Sequence, residues 1–207
     1  TLTAESKPEI VTINGVQYAM GRTPNSNRYN LSVNDYYHID SYTVTSITDN
    51  ECSSSVTNWE GAELVVRASN YLRWNRFPIT IHSGTTLSFN NPQNLPNAIG
   101  YGYFIQNDIR TLDLVGEWYF GNGKFYMYFG NTNPNDYLVK VSLKNTLIDV
   151  NTRDFISVNN INFEGANKNS IQTNYASNAF NLNIQNCNFN LNHCGIYGHA
   201  APEMTVK

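Results

Sequence analysis

The chain has 207 residues, with 13 Lys plus Arg against 16 Asp plus Glu, and only 14% are charged, where soluble domains average about 25%. Its polarity comes instead from 33 Asn and 14 Tyr. A net charge of -3 excludes a binder of the nucleic-acid backbone, 41% hydrophobic content excludes a disordered chain, and no apolar run reaches the roughly 18 residues of a membrane span.

The opening TLTAESKPEIV has neither the basic nor the apolar segment of an export leader, so we expect a chain already trimmed or excised from something longer. Residues 10–13 and 16–20 flank Asn14-Gly15, the dipeptide that supplies the two positive φ angles of a tight hairpin. Arg22, just before Pro24, is expected to fix its loop through a carboxylate pair. His38 and His82 sit among strand-like polar residues without a partner at catalytic or metal spacing, and are assigned no role. Residues 62–67, 79–81 and 86–89 are expected to be strands because β-branched residues dominate them. Residues 90–97, rich in Asn and Pro, form a loop by composition.

Asn107 or Asp108 caps a short predicted helix over residues 109–114, whose apolar residues Ile109, Leu112 and Val115 recur every three positions until Gly116 stops it. Glu117 is expected to accept hydrogen bonds from the adjoining turn. A second hairpin runs through residues 117–120 and 124–129 around Gly121-Asn122-Gly123, with Phe125, Met127 and Phe129 on one face and Tyr126 and Tyr128 on the other.

Cys52, Cys187 and Cys194 are too few and odd in number for a disulfide scaffold, and Cys187 is expected to be a small core residue. Without a Cys-x-x-Cys or His-x-x-x-His spacing, neither metal nor cofactor is expected. The sequon Asn30-Leu31-Ser32 is no more than chance supplies in so Asn-rich a chain.

The last third repeats. Residues 156–163 align with 182–189 at an offset of 26, matching Ile156 with Leu182, Val158 with Ile184, Asn160 with Asn186, Ile161 with Cys187 and Phe163 with Phe189. Ile148, Ile171 and Ile196 recur at 23 and 25 residues, and Met204 and Val206 begin another turn. Short alternating strands at such a period imply a parallel β-solenoid. Asn160 and Asn186 should stack at its corners with their amides bonded, and Ile161, Cys187, Phe163 and Phe189 should point inward.

The apolar-x-apolar-x-Asn-apolar-x-Phe pattern over residues 137–207 resembles the right-handed parallel β-helix superfamily of pectate lyases, polygalacturonases and phage tailspikes. Upstream, the segments 11–15 with 21–25, Trp59 with 61–67, and 116–119 leading into 125–128 resemble the β-rich region ahead of the β-helix in secreted bacterial carbohydrate-active and multidomain surface proteins. The resemblance implies an all-β chain with a β-rich N-terminal region over residues 1–136, carrying two hairpins and one short helix, and the first coils of a truncated β-helix over 137–207. It also implies a secreted or cell-surface location on a Gram-negative bacterium, in some relatives through the type nine secretion route. The expected partners are a polysaccharide or glycan and the secretion machinery, with no nucleic acid.

Two functions stay open: adhesion or glycan contact, and polysaccharide cleavage by an active site in later coils. Cleavage by a glycosidase needs two carboxylates about 5 to 10 Å apart. The candidates are Asp149, Asp154, Glu164 and Glu203, which do not form the acidic sets of polygalacturonases, and His199 in Gly198-His199-Ala200 is read as structural. A lyase needs an Asp cluster for calcium beside a basic residue, and Lys140, Lys144, Arg153, Lys168 and Lys207 have none. For glycan contact the residue types are Tyr101, Tyr103, Trp118, Tyr119, Tyr126 and Tyr128 among abundant amides, with the wet face undetermined.

Overall fold

The computed structural model describes residues 7–26, 35–68, 73–90, 102–151, 153–173, 181–198 and 203–207. The expected loop from residue 91 on, Tyr101, the sequon and His199 therefore lie outside the described residues. The protein is all-β, and its helical pieces include two single 3₁₀ turns, Ile109–Thr111 and Pro134–Asp136. It divides into two compact units: Thr1–Tyr18 with Thr132–Lys207, and Ala19–Asn131.

The chain opens with the expected hairpin, β1 (Val11–Ile13) and β2 (Val16–Gln17), turned by Asn14 and Gly15 at φ 50° and 81°.

The second unit is built on one seven-stranded antiparallel sheet. Its strands are β3 (Arg22–Thr23), β4 (Ser41–Tyr42), β5 (Ser46–Thr48), β6 (Glu63–Ala68), β7 (Arg73–Ser83), β8 (Thr86–Phe89) and β9 (Tyr103–Gln106), in the order β3-β9-β6-β7-β8-β5-β4. The long β7 is the shared spine, pairing with β6 through its first half and with β8 through its second. One face buries Leu64, Val66, Phe77, Ile79, Leu87, Phe89, Tyr103 and Ile105 around Ile47 and Trp59, with Phe77 stacked on Phe89 at 4.7 Å. The expected helix is a single 3₁₀ turn, Ile109–Thr111, capped by the Asp108 carboxylate on the Arg110 N–H. The second hairpin follows as β10 (Trp118–Gly121) and β11 (Lys124–Met127), again closed by Asn-Gly, with Asn122 and Gly123 at φ 52° and 71°.

In the first unit β12 (Val139–Val141) pairs antiparallel with β1. After it the ladders become parallel. β13 (Lys144–Asp149), β16 (Ala166–Gln172) and β19 (Cys194–Tyr197) form one ladder. β14 (Ser157–Asn159), β17 (Asn183–Gln185) and β20 (Thr205–Val206) form a second, and β15 (Asn162–Glu164) with β18 (Asn188–Asn190) a third. The aligned residues pair in register, Val158 with Ile184 and Phe163 with Phe189, whose rings stack at 5.0 Å and 6°. Ile148, Ile171 and Ile196 also share one register. Val150, Val158, Phe163, Ile171, Leu182 and Ile184 form the buried core, with Cys187 and Phe189 packed half-buried against it.

Asn160 and Asn186 are left-handed as expected, at φ 59° and 52°. Their amides do not bond each other, however, because the left-handed backbone takes the side chain out of the strand pleat: the Asn186 Nδ2 donates to Asn159 at 3.2 Å. An amide-to-amide bond between residues in register falls two positions further on, from the Asn188 Nδ2 to the Asn162 Oδ1 at 2.8 Å. Ile161, expected inward, is instead 41% exposed; it lies between the left-handed Asn160 and the first residue of β15, Asn162. Left-handed residues recur every five positions, at Phe155, Asn160 and Gly165 and again at Asn181, Asn186 and Leu191, with Glu203 preceding β20.

A buried polar bridge ties the N-terminal segment to this unit. The Ser142 hydroxyl donates to the Asn167 side-chain oxygen and accepts the Ile10 N–H at 3.0 Å, and the same Asn167 oxygen accepts the Glu9 N–H at 2.9 Å. Removing the Ser142 side chain leaves the buried Ile10 N–H without this acceptor.

Candidate functional site

The acidic candidates do not converge. Asp149, Asp154, Glu164 and Glu203 are all exposed, and Glu164 is committed to an ion pair with Lys140 at 3.1 Å. Among the described residues no three His, Cys, Asp or Glu side chains are grouped to hold a metal ion. A cleft of about 420 Å³ in the first unit has aliphatic walls from Ile10, Val141, Leu143 and Leu147, and Glu164 is the one carboxylate lining it. A single carboxylate already paired to an ammonium does not make an acid and base pair.

The second unit holds residue types that suggest a nucleophile, a base and an orienting acid: Cys52, His82 and Asp49, all buried. Their bonds show a structural cluster instead. His82 Nδ1 accepts the Trp59 N–H at 3.1 Å, which leaves Nε2 to donate to the Cys52 carbonyl at 3.2 Å. Both ring nitrogens are thereby spent on backbone, and none remains to take a thiol proton. Asp49 accepts from the Tyr103 hydroxyl at 2.7 Å and from the Glu51 N–H at 2.8 Å. Burial pushes the Cys52 thiol and the Tyr103 hydroxyl upward from their ordinary values, so both stay protonated, the reverse of an activated nucleophile. His82 was expected in polar surroundings; the reason it is buried is a bulge in β7 between Ile79 and Ile81, which turns Ile81 outward and His82 inward.

Glu117 serves its turn as expected, its Oε2 accepting the Asp113 and Leu114 N–H groups at 2.9 Å each. Burial pushes its carboxyl above the usual range, with the backbone donors pulling the other way. Arg22 fixes its loop through backbone carbonyls, those of Pro24 at 3.0 Å and of Asp35, where a carboxylate pair was expected, and its guanidinium lies 3.7 Å from the centre of the Phe104 ring. His38 is exposed.

The aromatics divide by face. Tyr103 and Trp118 are buried and unavailable. Tyr119, Tyr126 and Tyr128 share the opposite face of the β10–β11 hairpin, where Tyr126 and Tyr128 are 37% and 39% exposed. Tyr119 and Tyr126 are paired across the strands with centroids 5.5 Å apart and planes at 22°. Tyr119 lies back over Gly121, where a β-carbon would fall 1.7 Å from its hydroxyl, so only glycine leaves room for the ring. The hairpin thus carries an exposed phenol shelf fixed by backbone. Sequence alternation identified the face of Tyr126 and Tyr128, but only the burial of Trp118 tells which side is wet.

No family model, curated protein or solved structure matches the chain.

Proposed function

We propose that the chain is part of a secreted cell-surface bacterial protein that contacts glycans, built as a β-rich cap and coils of a right-handed parallel β-helix. Three parallel ladders traversed in repeating order, with a shared step of 22 to 26 residues, support the coils. The right hand follows from the strong chiral preference of crossovers between parallel strands. The extracellular setting rests on the resemblance of residues 137–207 to that superfamily.

The observation that carries glycan contact is the shelf of Tyr119, Tyr126 and Tyr128. The Tyr119 and Tyr126 rings are near-parallel and those of Tyr126 and Tyr128 face solvent, which suits the flat apolar face of a pyranose. The hydroxyls at the ring edges supply donors and acceptors for sugar hydroxyls.

Titration of the whole chain with neutral oligosaccharides on a glycan array and by calorimetry tests this. Tyr126→Ala is expected to weaken binding at least about tenfold, an effect of about 1.4 kcal/mol. Gly121→Ala should do the same by dislodging Tyr119, without removing any aromatic ring. Equal binding by both variants and the parent would overturn the reading, and release of new reducing ends would replace contact by cleavage.

A further inference from the structure

The sequence holds two Asn-Gly dipeptides, Asn14-Gly15 and Asn122-Gly123, both exposed and both turning a hairpin. Their backbones match, with φ of 50° and 81° in the first and 52° and 71° in the second. A β-carbon would meet nothing within 4 Å at either Gly15 or Gly123, so neither dipeptide is shielded by packing. What differs is the hold on the asparagine. Asn14 is clamped to the neighbouring chain, its N–H donating to the Leu138 carbonyl at 2.9 Å and its Oδ1 accepting the Leu138 N–H at 3.0 Å. Its hairpin also belongs to a three-stranded sheet with β1 in the middle. The Asn122 side chain makes no hydrogen bond among the described residues. Its hairpin is a two-stranded sheet, tied to Met20 by a bridge at Trp118, the end away from the turn.

An asparagine before glycine can react with its own main chain, because glycine has no β-carbon to obstruct the approach. The Gly123 nitrogen, having lost its proton to hydroxide, bonds to the Asn122 Cγ. The Cγ–Nδ2 bond breaks, and the leaving amide takes a proton from water and departs as ammonia, closing a cyclic imide. Water then opens the ring. Addition at Cγ gives aspartate, and addition at the main-chain carbonyl gives isoaspartate, whose main chain runs on through Cβ and Cγ. Ring closure turns the Asn-Gly peptide unit out of its hairpin orientation, so the turn must open first and the rate follows the free energy of that opening. Opening at Asn14 also breaks both bonds to Leu138, whereas opening at Asn122 breaks none outside its own two-stranded hairpin, the least stable kind of sheet.

We propose that Asn122 is a site of spontaneous deamidation, where the Gly123 nitrogen converts the asparagine to aspartate and isoaspartate while the fold protects Asn14. The isoaspartate product lengthens the main chain of the turn by one carbon. The closing pair Gly121–Lys124 then loses its register, and Gly121 leaves its place under the Tyr119 ring. The hairpin face therefore has a lifetime set by Asn122, whether or not that face contacts glycans.

The test keeps the whole chain in warm, mildly alkaline buffer and samples it over time by anion exchange and by peptide mapping with mass spectrometry. A species one charge more negative than the parent, whose net charge is -3, is expected to accumulate. The amide-to-acid mass change should appear at Asn122 at least about tenfold faster than at Asn14. Methylation by an isoaspartate methyltransferase separates isoaspartate from aspartate. Asn122→Gly, which keeps the turn because glycine accepts positive φ, should lack the acidic species. In denaturant the two dipeptides should react at similar rates, because the clamp on Asn14 is gone. No reaction at Asn122, a rate at Asn14 equal to or above it in the folded protein, or selectivity that persists in denaturant overturns the proposal.

Discussion

Phe155 is the residue whose backbone conflicts most with its side chain. Its φ is 57°, while the ring is 79% exposed and so gains little from packing. A left-handed backbone costs a non-glycine residue about 1–2 kcal/mol, because Cβ crowds the following carbonyl. Glycine escapes that cost and gives back roughly 0.4–1 kcal/mol through the greater freedom of its unfolded chain. Comparing Phe155→Gly with Phe155→Ala cancels the lost ring, since both variants lack it. The net expectation is Gly above Ala by about 0.5–1 kcal/mol.

Ser157, two residues on, is exposed in the extended strand β14. There the order should reverse, with Ala above Gly by about 0.5–1 kcal/mol. The predicted quantity is therefore a change of sign over two positions, worth about 1–2 kcal/mol in total and free of assumptions about contacts. Urea denaturation of the four variants measures it, with equal slopes required so that midpoints report stability. By heat, Phe155→Gly should melt about 1–4 °C above Phe155→Ala. If Ala exceeds Gly at both positions, residue 155 is not left-handed in the folded protein and the five-residue corner spacing fails with it.

Two further results are expected. His82→Ala removes the acceptor of the Trp59 N–H and the donor to the Cys52 carbonyl inside the core, and should cost about 2–4 kcal/mol by denaturation, with spectra showing the fold retained. Glu117→Gln tests linkage. Burial raises the folded-state carboxyl above the reference value of 4.5, so the folded protein holds that proton more tightly and loses stability as pH climbs from 4.5 through the raised value. The Gln variant keeps an acceptor for Asp113 and Leu114 and should flatten that decline, and an unchanged pH profile would refute the assignment.

What could be read from the sequence was what local chemistry dictates. Asn-Gly at 14–15 and 122–123 forces positive φ at both central residues, and both hairpins formed around it. Three features were hidden, each for a physical reason. The 77, 79, 81 alternation of Phe77, Ile79 and Ile81 predicts Ile81 inward, but a one-residue bulge shifts every later side chain to the other face. The Tyr119 shelf depends on a ring folded over Gly121, a contact that period-two counting cannot see. The contact of the Arg67 guanidinium with the Trp74 ring, 5.6 Å from its centroid, depends on cross-strand register across a hairpin whose register the composition does not fix.

The repeat shows the same division within one segment. The offset of 26 is constant over the stretches 155–165 and 181–191, in each of which left-handed residues recur five apart. From the third corner to the next repeat, residue 165 to 181 takes 16 positions and residue 191 to 203 takes 12, so all the variation in period falls there. That is why the β14 to β17 step is 26 while the β17 to β20 step is 22, and why Ile148, Ile171 and Ile196 recur unevenly. Phe155, Leu191 and Glu203 show that the left-handed positions are not set by residue type alone, since none of the three favours a left-handed backbone. Asn at 160, 181 and 186 lowers the cost of that geometry, because its short polar side chain can bond locally to the backbone.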